Sequence, residues 1–377
     1  MDVIQALLET AIGIVLGITV GLIPGLHFNT MIPFLALLDI SPAFVIAMSI
    51  AFVFATTFPS TLVGIPNSDN VLAMLPNHKM YVRGMALKAI LISNRAMLYA
   101  LMACIVLLAL LFSVSRTYAS LRMLFPIVLG VIVLSMVKNI PSLMIVVLSA
   151  ALGVMTFEHY MLLPLLTGFF GMSNLLSFHN TEGKFKQRLN KEQASNFSQF
   201  EVAMASISAA FTSMFFSLVP AISTGVVATV TDRLGYKKGH EKIAVMSASA
   251  MAYMVFSFFT LSLLGLTRSG SAVLLTKFGT PDIAAIILVS VVSGLASYAL
   301  CNKIAMRTVR FYDGLKADKL RGVVALFLIA LVYYSTGAYG LLVLSASTMI
   351  GLLSMRLGVK RINCMAALII PTLLVIM

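Results

Sequence analysis

Two short stretches set helix breakers beside small polar groups in the midst of apolar sequence. In "GLIPGLHFNT", residues 21 to 30, Gly21, Pro24 and Gly25 stand beside His27, Asn29 and Thr30; in "SLVPAISTGV", residues 217 to 226, Pro220 precedes Ser223, Thr224 and Gly225. Proline removes an amide donor and clashes with the preceding turn, while glycine accepts backbone conformations that other residues avoid. A helix that stops and restarts presents free N–H groups and a partial positive charge at its new N-terminus. That is the chemistry that receives a carboxylate or phosphate oxygen, and hydroxyls and glycine amides suit it. Close packing of a kinked helix against a neighbour would use the same residue types.

A second pair of motifs carries charge. "GIPNSDN", residues 64 to 70, supplies Asn67, Ser68 and Asp69, and "TRSGS", residues 267 to 271, supplies Arg268 and Ser269. An acid or arginine near the bilayer is a functional candidate because leaving it there is costly. Arg268 could clamp an anionic substrate, and Asp69 could hold a coupling Na+ or H+. Both also fall near expected helix ends, where snorkelling needs no ligand. His27 lies inside an apolar motif, and an imidazole titrating near neutrality is suited to proton coupling as well as to packing.

The elements that must position these residues follow from composition. Of the 377 residues 60% are hydrophobic and 10% charged, against about 25% charged in a soluble domain, and mean hydropathy is +1.02. Charged residues cluster between apolar runs of membrane-spanning length, which indicates an all-α polytopic membrane protein rather than an outer-membrane barrel. Five basic clusters account for much of the +13 charge: Lys79 to Arg95, Lys184 to Lys191, Arg233 to Lys242, Lys303 to Arg321, and Arg356 to Arg361. The positive-inside rule explains them, and no nucleic-acid motif accompanies them. Multi-pass insertion in the cytoplasmic membrane is expected, with these loops cytoplasmic, the N-terminus outside, and Arg116, Arg122, Arg268 and Lys277 exceptions on the outer side. No basic n-region precedes the first apolar run, so that segment is expected to be retained. Cys104, Cys301 and Cys364 match neither a disulfide framework nor a zinc spacing, and no metal site is expected.

Full crossings are expected at 43–66, 96–114, 123–137, 141–157 and 159–177, and again at 243–266, 281–301, 322–336, 338–355 and 362–377, with re-entrant hairpins near 3–38 and 201–230. A polar stretch divides the chain into an N-terminal repeat, 1–178, a cytoplasmic linker, 179–200, and a C-terminal repeat, 201–377. Each half orders its parts alike, a broken hairpin followed by about five crossings. An odd number of crossings per half gives two inverted-topology repeats, a plan common among secondary transporters. Pro24 then answers to Pro220, and Gly64 to Gly265. No Walker A, HExxH, paired-cysteine or GxSxG motif appears, so transport would draw on a gradient or a partner.

The patches "GLIPGLHFNT", "GIPNSDNVLAMLPNHKMYVRGMALKA" (64–89), "SLVPAISTGVV" and "LTRSGSAVLL" (266–275) resemble the TctA-type large permease subunit of tripartite tricarboxylate transporters, especially its shorter archaeal branch. The resemblance implies an ion-gradient-driven carrier with two inward-facing broken segments and one domain moving against a scaffold, organic carboxylates being the reference substrates. It places the first glycine-proline motif on Gly21, Pro24, Gly25, His27 and Asn29, and its partner on Pro220, Ser223, Thr224 and Gly225. The chain departs from it in reading Pro-Ala at 220–221 where the family usually has Pro-Gly, and in being shorter than typical bacterial members. Those members work with a small membrane subunit and a periplasmic solute-binding protein, neither of which this chain establishes.

The leading expectation is a secondary carrier for a small organic anion, without an enzymatic step and without a cofactor beyond a coupling Na+ or H+. A polyprenyl-phosphate lipid carrier translocase is the alternative, since a phosphate headgroup suits helix N-termini equally well. An intramembrane enzyme using His27 and Asp69 as acid and base would need those side chains within hydrogen-bond reach. Expected partners are the anionic solute or lipid phosphate and the membrane lipids; a homo-oligomer stays open.

Overall fold

The computed structural model describes residues 3–24, 26, 28–63, 74–157, 161–177, 187–314 and 317–377, and among these the regular structure is helical throughout. In the first half α1 (Val3–Leu22) is followed by α2 (Phe28–Leu35), α3 (Pro42–Ala55), α4 (Thr57–Leu62), α5 (Met74–Val82) and α6 (Ala86–Ser115). Then come α7 (Tyr118–Arg122), α8 (Phe125–Met136), α9 (Ile140–Thr156), α10 (Leu162–Leu166) and α11 (Ser173–Ser177), the last two joined by a π-helical turn, Thr167–Met172. A short α12 (Lys191–Ser195) leads to the second half: α13 (Gln199–Phe216), α14 (Thr224–Asp232), α15 (Gly239–Leu264), α16 (Gly270–Phe278) and α17 (Ile283–Gly314). The chain ends with α18 (Ala317–Arg356), a 3-10 turn at Arg361–Met365 and α19 (Ala366–Ile376).

Among the described residues six helical stretches are long and apolar enough to cross a membrane. Two form the centre: the α3–α4 stretch is 94% buried in its most apolar window and α15 wholly so, whereas the other four are 22–33% buried. A helix that is apolar all round must be buried, and one apolar helix exposed on most of its surface must face lipid. The chain is an all-α polytopic membrane protein.

Small residues let these helices approach closely. Gly13, Gly17 and Gly21 recur every fourth residue on the face of α1 against α3. A Cβ at these positions would lie 2.7 Å from the Phe44 carbonyl oxygen, 2.3 Å from that of Met48 and 2.7 Å from the Ala55 Cβ, respectively. Ser206, Ala209, Ala210 and Ser213 are buried on α13, which packs on α15 and α6. α6 also packs on α15, α17 packs on α3 and α1, and α6 and α17 pack on each other. There Asn94 Nδ2 donates to Asn302 Oδ1 at 2.8 Å.

Several helices depart from the expected crossings. α1 has 20 residues and rises about 30 Å, the thickness of the hydrocarbon core, because the break at Pro24 ends this helix instead of bisecting it. The expected re-entrant arm is long enough to span. α6 begins ten residues before its expected crossing and α17 runs thirteen beyond its own. Basic residues thought to lie in loops are therefore helical. Conversely, α8 has only 12 residues. The break expected between 336 and 338 is Gly337 alone, at φ 65° and ψ −161°, a conformation essentially reserved for glycine.

Residues 187–196 lie against the first half of the chain. Arg188 N donates to Gly84 O at 2.8 Å, Gln187 accepts from Ala86 N at 3.1 Å, and Lys88 Nζ donates to Asn196 O at 2.7 Å. Glu201, in the first turn of α13, is paired with both Lys238 and His240 at the start of α15.

Candidate functional site

Both sequence-predicted breaks are present. After α1 the chain turns through Ile23 and Pro24 before α2 begins at Phe28; Gly25 and His27 lie outside the described residues. Asn29 and Thr30 fall in the first turn of α2, and only their backbone is described. Gly21 is occupied by the packing of α1 on α3. After α13 the break covers residues 217 to 223, and α14 begins at Thr224. Within it Ala221 adopts φ 57°, the one positive φ outside glycine among the described residues. Here glycine would sit without steric cost, while alanine in this region costs about 1–2 kcal/mol.

Four carbonyls at the breaks are claimed by side chains from elsewhere. Tyr312 on α17 donates its hydroxyl to Leu22 O at 2.6 Å, at the end of α1. Tyr253 on α15 donates to Ile222 O at 2.7 Å. Arg268 Nε donates to Ser217 O at 3.1 Å, and one terminal nitrogen donates to Leu218 O at 2.6 Å and lies 3.3 Å from the Tyr118 hydroxyl. The guanidinium thus caps the C-terminus of α13, where a cation also meets the negative end of the helix dipole.

The amides at the other side of the second break are treated differently. Ser223 is the N-cap of α14 by backbone geometry, yet its side chain makes no capping bond. Its carbonyl accepts from Val226 N at 3.0 Å and Val227 N at 3.2 Å. Thr224 and Gly225 are buried, and Thr224 has a partner. The Gly225 amide has no backbone or side-chain acceptor among the described residues. With the Ser217, Leu218 and Ile222 carbonyls occupied and the Gly225 amide without an acceptor among the described residues, this N-terminus favours an anion.

One short helix links this break to the other broken segment. Ser269 is the N-cap of α16, accepting from Ala272 N at 3.1 Å, and its hydroxyl lies 2.8 Å from that of Ser257 on α15. At the far end of α16, Lys277 donates to Ala36 O, just beyond α2. α16 has nine residues, a rise of about 14 Å, so the loop of Arg268 and Ser269 reaches one break while the end of its helix reaches the chain just after α2.

Asn67, Ser68 and Asp69 lie outside the described residues. Beside that segment is a buried polar cluster that the sequence reading did not single out. Asn77 Nδ2 lies 3.4 Å from Thr61 Oγ1 and 3.3 Å from Ser93 Oγ, and the His78 ring Nδ1 lies 3.2 Å from Thr61 O. Asn77 Oδ1 is buried and has no partner among the described residues. Asn77 and His78 stand in "LPNHKM", where a following lysine disguised them as loop. The tyrosines at 253 and 312 gave no signal either, because each meets a carbonyl 31 or 290 residues away.

Comparison with known proteins places this architecture. A curated relative from Methanocaldococcus jannaschii, described as an uncharacterized protein, is 24% identical over 400 residues, covering 98% of each chain. No solved structure matches. The family model described as "Tripartite tricarboxylate transporter TctA family" matches residues 7–366. That match takes in both breaks, both charged motifs and nearly the whole bundle, and the chain accordingly belongs to the tripartite tricarboxylate transporter TctA family of membrane transporters.

Proposed function

We propose that this transporter is a secondary-active permease for a small carboxylate-like anion, held between the two broken hairpins and moved by alternating access. The observation that carries this reading is the start of α14. There Arg268 and Tyr253 occupy the carbonyls of Ser217, Leu218 and Ile222, while Ser223 leaves the helix uncapped and the Gly225 amide has no acceptor among the described residues. A carboxylate oxygen supplies the missing acceptor and meets the positive end of the helix. Pro24, Gly25, His27, Asn29 and Thr30 would contribute the opposing face, with Asn67, Ser68 and Ser269 at its edge.

Arg268 serves in this account as a cap that holds the break open and adds positive potential, rather than as a direct clamp. Asp69 is the proposed coupling residue for Na+ or H+. The two halves are proposed to be inverted repeats, which is supported by exchange of their packing: α1 lies on α3 as α13 lies on α15, and α6 meets α15 and α13 as α17 meets α3 and α1. A small membrane subunit and a solute-binding protein are the partners the family suggests.

The test is uptake by purified protein in liposomes. Labelled di- and tricarboxylates are offered under imposed Na+, H+ or voltage gradients. Accumulation that needs one ion gradient supports the reading and identifies the ion. No flux of any carboxylate under any gradient, together with binding of a polyprenyl phosphate, would replace it with lipid-carrier translocation.

A further inference from the structure

A cavity of about 200 Å³ lies between one face of α14, the turn from α8 to α9, and the turn from α18 to α19. Val226, Thr229, Val230 and Arg233 form the α14 wall, at the three- and four-residue spacing of a single helix face. Three cations from three separate elements line it: Lys138, Arg233 and Lys360. Among the described residues no acidic side chain lines it. Among the described residues none of the three cations is ion-paired, and neighbouring Asp232 is turned to Lys242 at 3.9 Å.

The uncharged lining adds to this bias. Asn139 and Ser142 cap the N-terminus of α9 reciprocally, so a 17-residue helix directs its positive end at the cavity. Asn363 is buried and its Nδ2 donates to Met136 O at 2.9 Å, fixing the wall between the two turns. Three like charges around one cavity repel one another, and an anion between them relieves that repulsion. At ~30 Å³ per water molecule the space holds about seven waters, enough for one phosphoryl group with part of its hydration shell.

We propose that this cavity binds a phosphate group and thereby ties α14 to the α8–α9 and α18–α19 turns. The source favoured by the surroundings is the headgroup of an anionic membrane lipid. The apolar lining of Ile132 and Met136 is flanked by exposed Val131, Leu134, Ile140 and Leu143 on α8 and α9, a surface on which acyl chains can lie. Basic pockets between membrane helices recognise such headgroups by charge. Because α14 also carries the unclaimed amide at its start, occupancy of this cavity would hold that helix in place whatever solute is carried.

The test uses full-length protein in nanodiscs of phosphatidylcholine containing phosphatidylglycerol, released into native mass spectrometry to count retained phosphatidylglycerol. The comparison is between wild type, the triple variant Lys138→Gln/Arg233→Gln/Lys360→Gln, and a charge-matched control, Lys303→Gln/Arg307→Gln/Arg310→Gln. A parallel melting series compares inorganic phosphate with chloride at equal ionic strength. One retained phosphatidylglycerol in wild type and control, held at least about tenfold less in the triple variant, supports the lipid headgroup. A phosphate-specific rise in melting temperature lost only in the triple variant, without lipid retention, assigns the site to free phosphate. Equal behaviour of the triple variant and the control in both series overturns the site. The single variants Lys138→Gln and Lys360→Gln, both on exposed side chains, give the same reading if the triple variant does not fold.

Discussion

Arg268 and Lys277 stand at opposite ends of α16 and donate to carbonyls of different broken segments, Arg268 to Ser217 and Leu218 after α13 and Lys277 to Ala36 after α2. Both were exceptions to the expected sidedness of basic residues. Each has a local reason to be where it is, since a cation at a helix C-terminus satisfies carbonyls that lipid would leave bare. α16 therefore acts as a strut between the two broken segments, and its cations should matter unequally.

Arg268→Ala is expected to destabilise the protein by about 2–3 kcal/mol, because partly buried acceptors lose a charged donor and remain unpaired. Lys277→Ala, on an exposed side chain, should cost under about 1 kcal/mol. Thermal or denaturant unfolding in detergent measures the difference, and equal losses would remove the distinction between the two ends of the strut.

Packing of α1 on α3 makes a second contrast. Gly17→Ala places a Cβ 2.3 Å from the Met48 carbonyl oxygen, and overpacking against backbone should cost about 1–3 kcal/mol. Gly130→Ala on α8, where a Cβ meets nothing within 4 Å, should be neutral or stabilising by up to about 1 kcal/mol. Melting of the two variants side by side checks the close approach.

Ala221 pays for its left-handed φ of 57°. Ala221→Gly removes that strain and is expected to stabilise the protein by about 0.5–1 kcal/mol, net of glycine's greater freedom when unfolded. A fall in melting temperature would show that the break does not hold this conformation.

The pairing of Glu201 predicts a dependence on pH. Hydrogen bonds from Lys238 and then His240 hold the Glu201 carboxyl below its usual pKa of 4.5. A carboxylate with a depressed folded pKa contributes stability that is present above its unfolded pKa and is lost as pH falls through the folded one. Below about pH 4.5 wild type should thus lose an increment that Glu201→Gln lacks. Melting temperatures of the two proteins from pH 7 to 3 should converge on acidification, and parallel curves would deny the pairing a role.

What the sequence discloses and what it hides follow from where hydrogen-bond partners lie. Pro24, Pro220 and the gap at Gly337 mark interruptions in any setting, because proline and glycine act on the backbone locally. The starts of α6 and the end of α17 were hidden because Lys88, Asn94, Arg95 and Lys303 look like loop. Inside the fold Lys88 meets Asn196, Asn94 meets Asn302 and Arg95 meets Gln199, so polar residues extend a helix once distant elements satisfy them. For the candidate site, the breakers were legible, whereas Tyr253, Tyr312 and Asn77 depend on contacts that only the fold supplies.

In the proposed transport site an anion would complete the amides at the start of α14. Isothermal titration of a carboxylate found to be transported, into wild type and Gly225→Val, tests it most directly. Affinity at least about tenfold weaker is expected in the variant, with melting temperature held within a few degrees. Unchanged affinity in a folded Gly225→Val protein would contradict it.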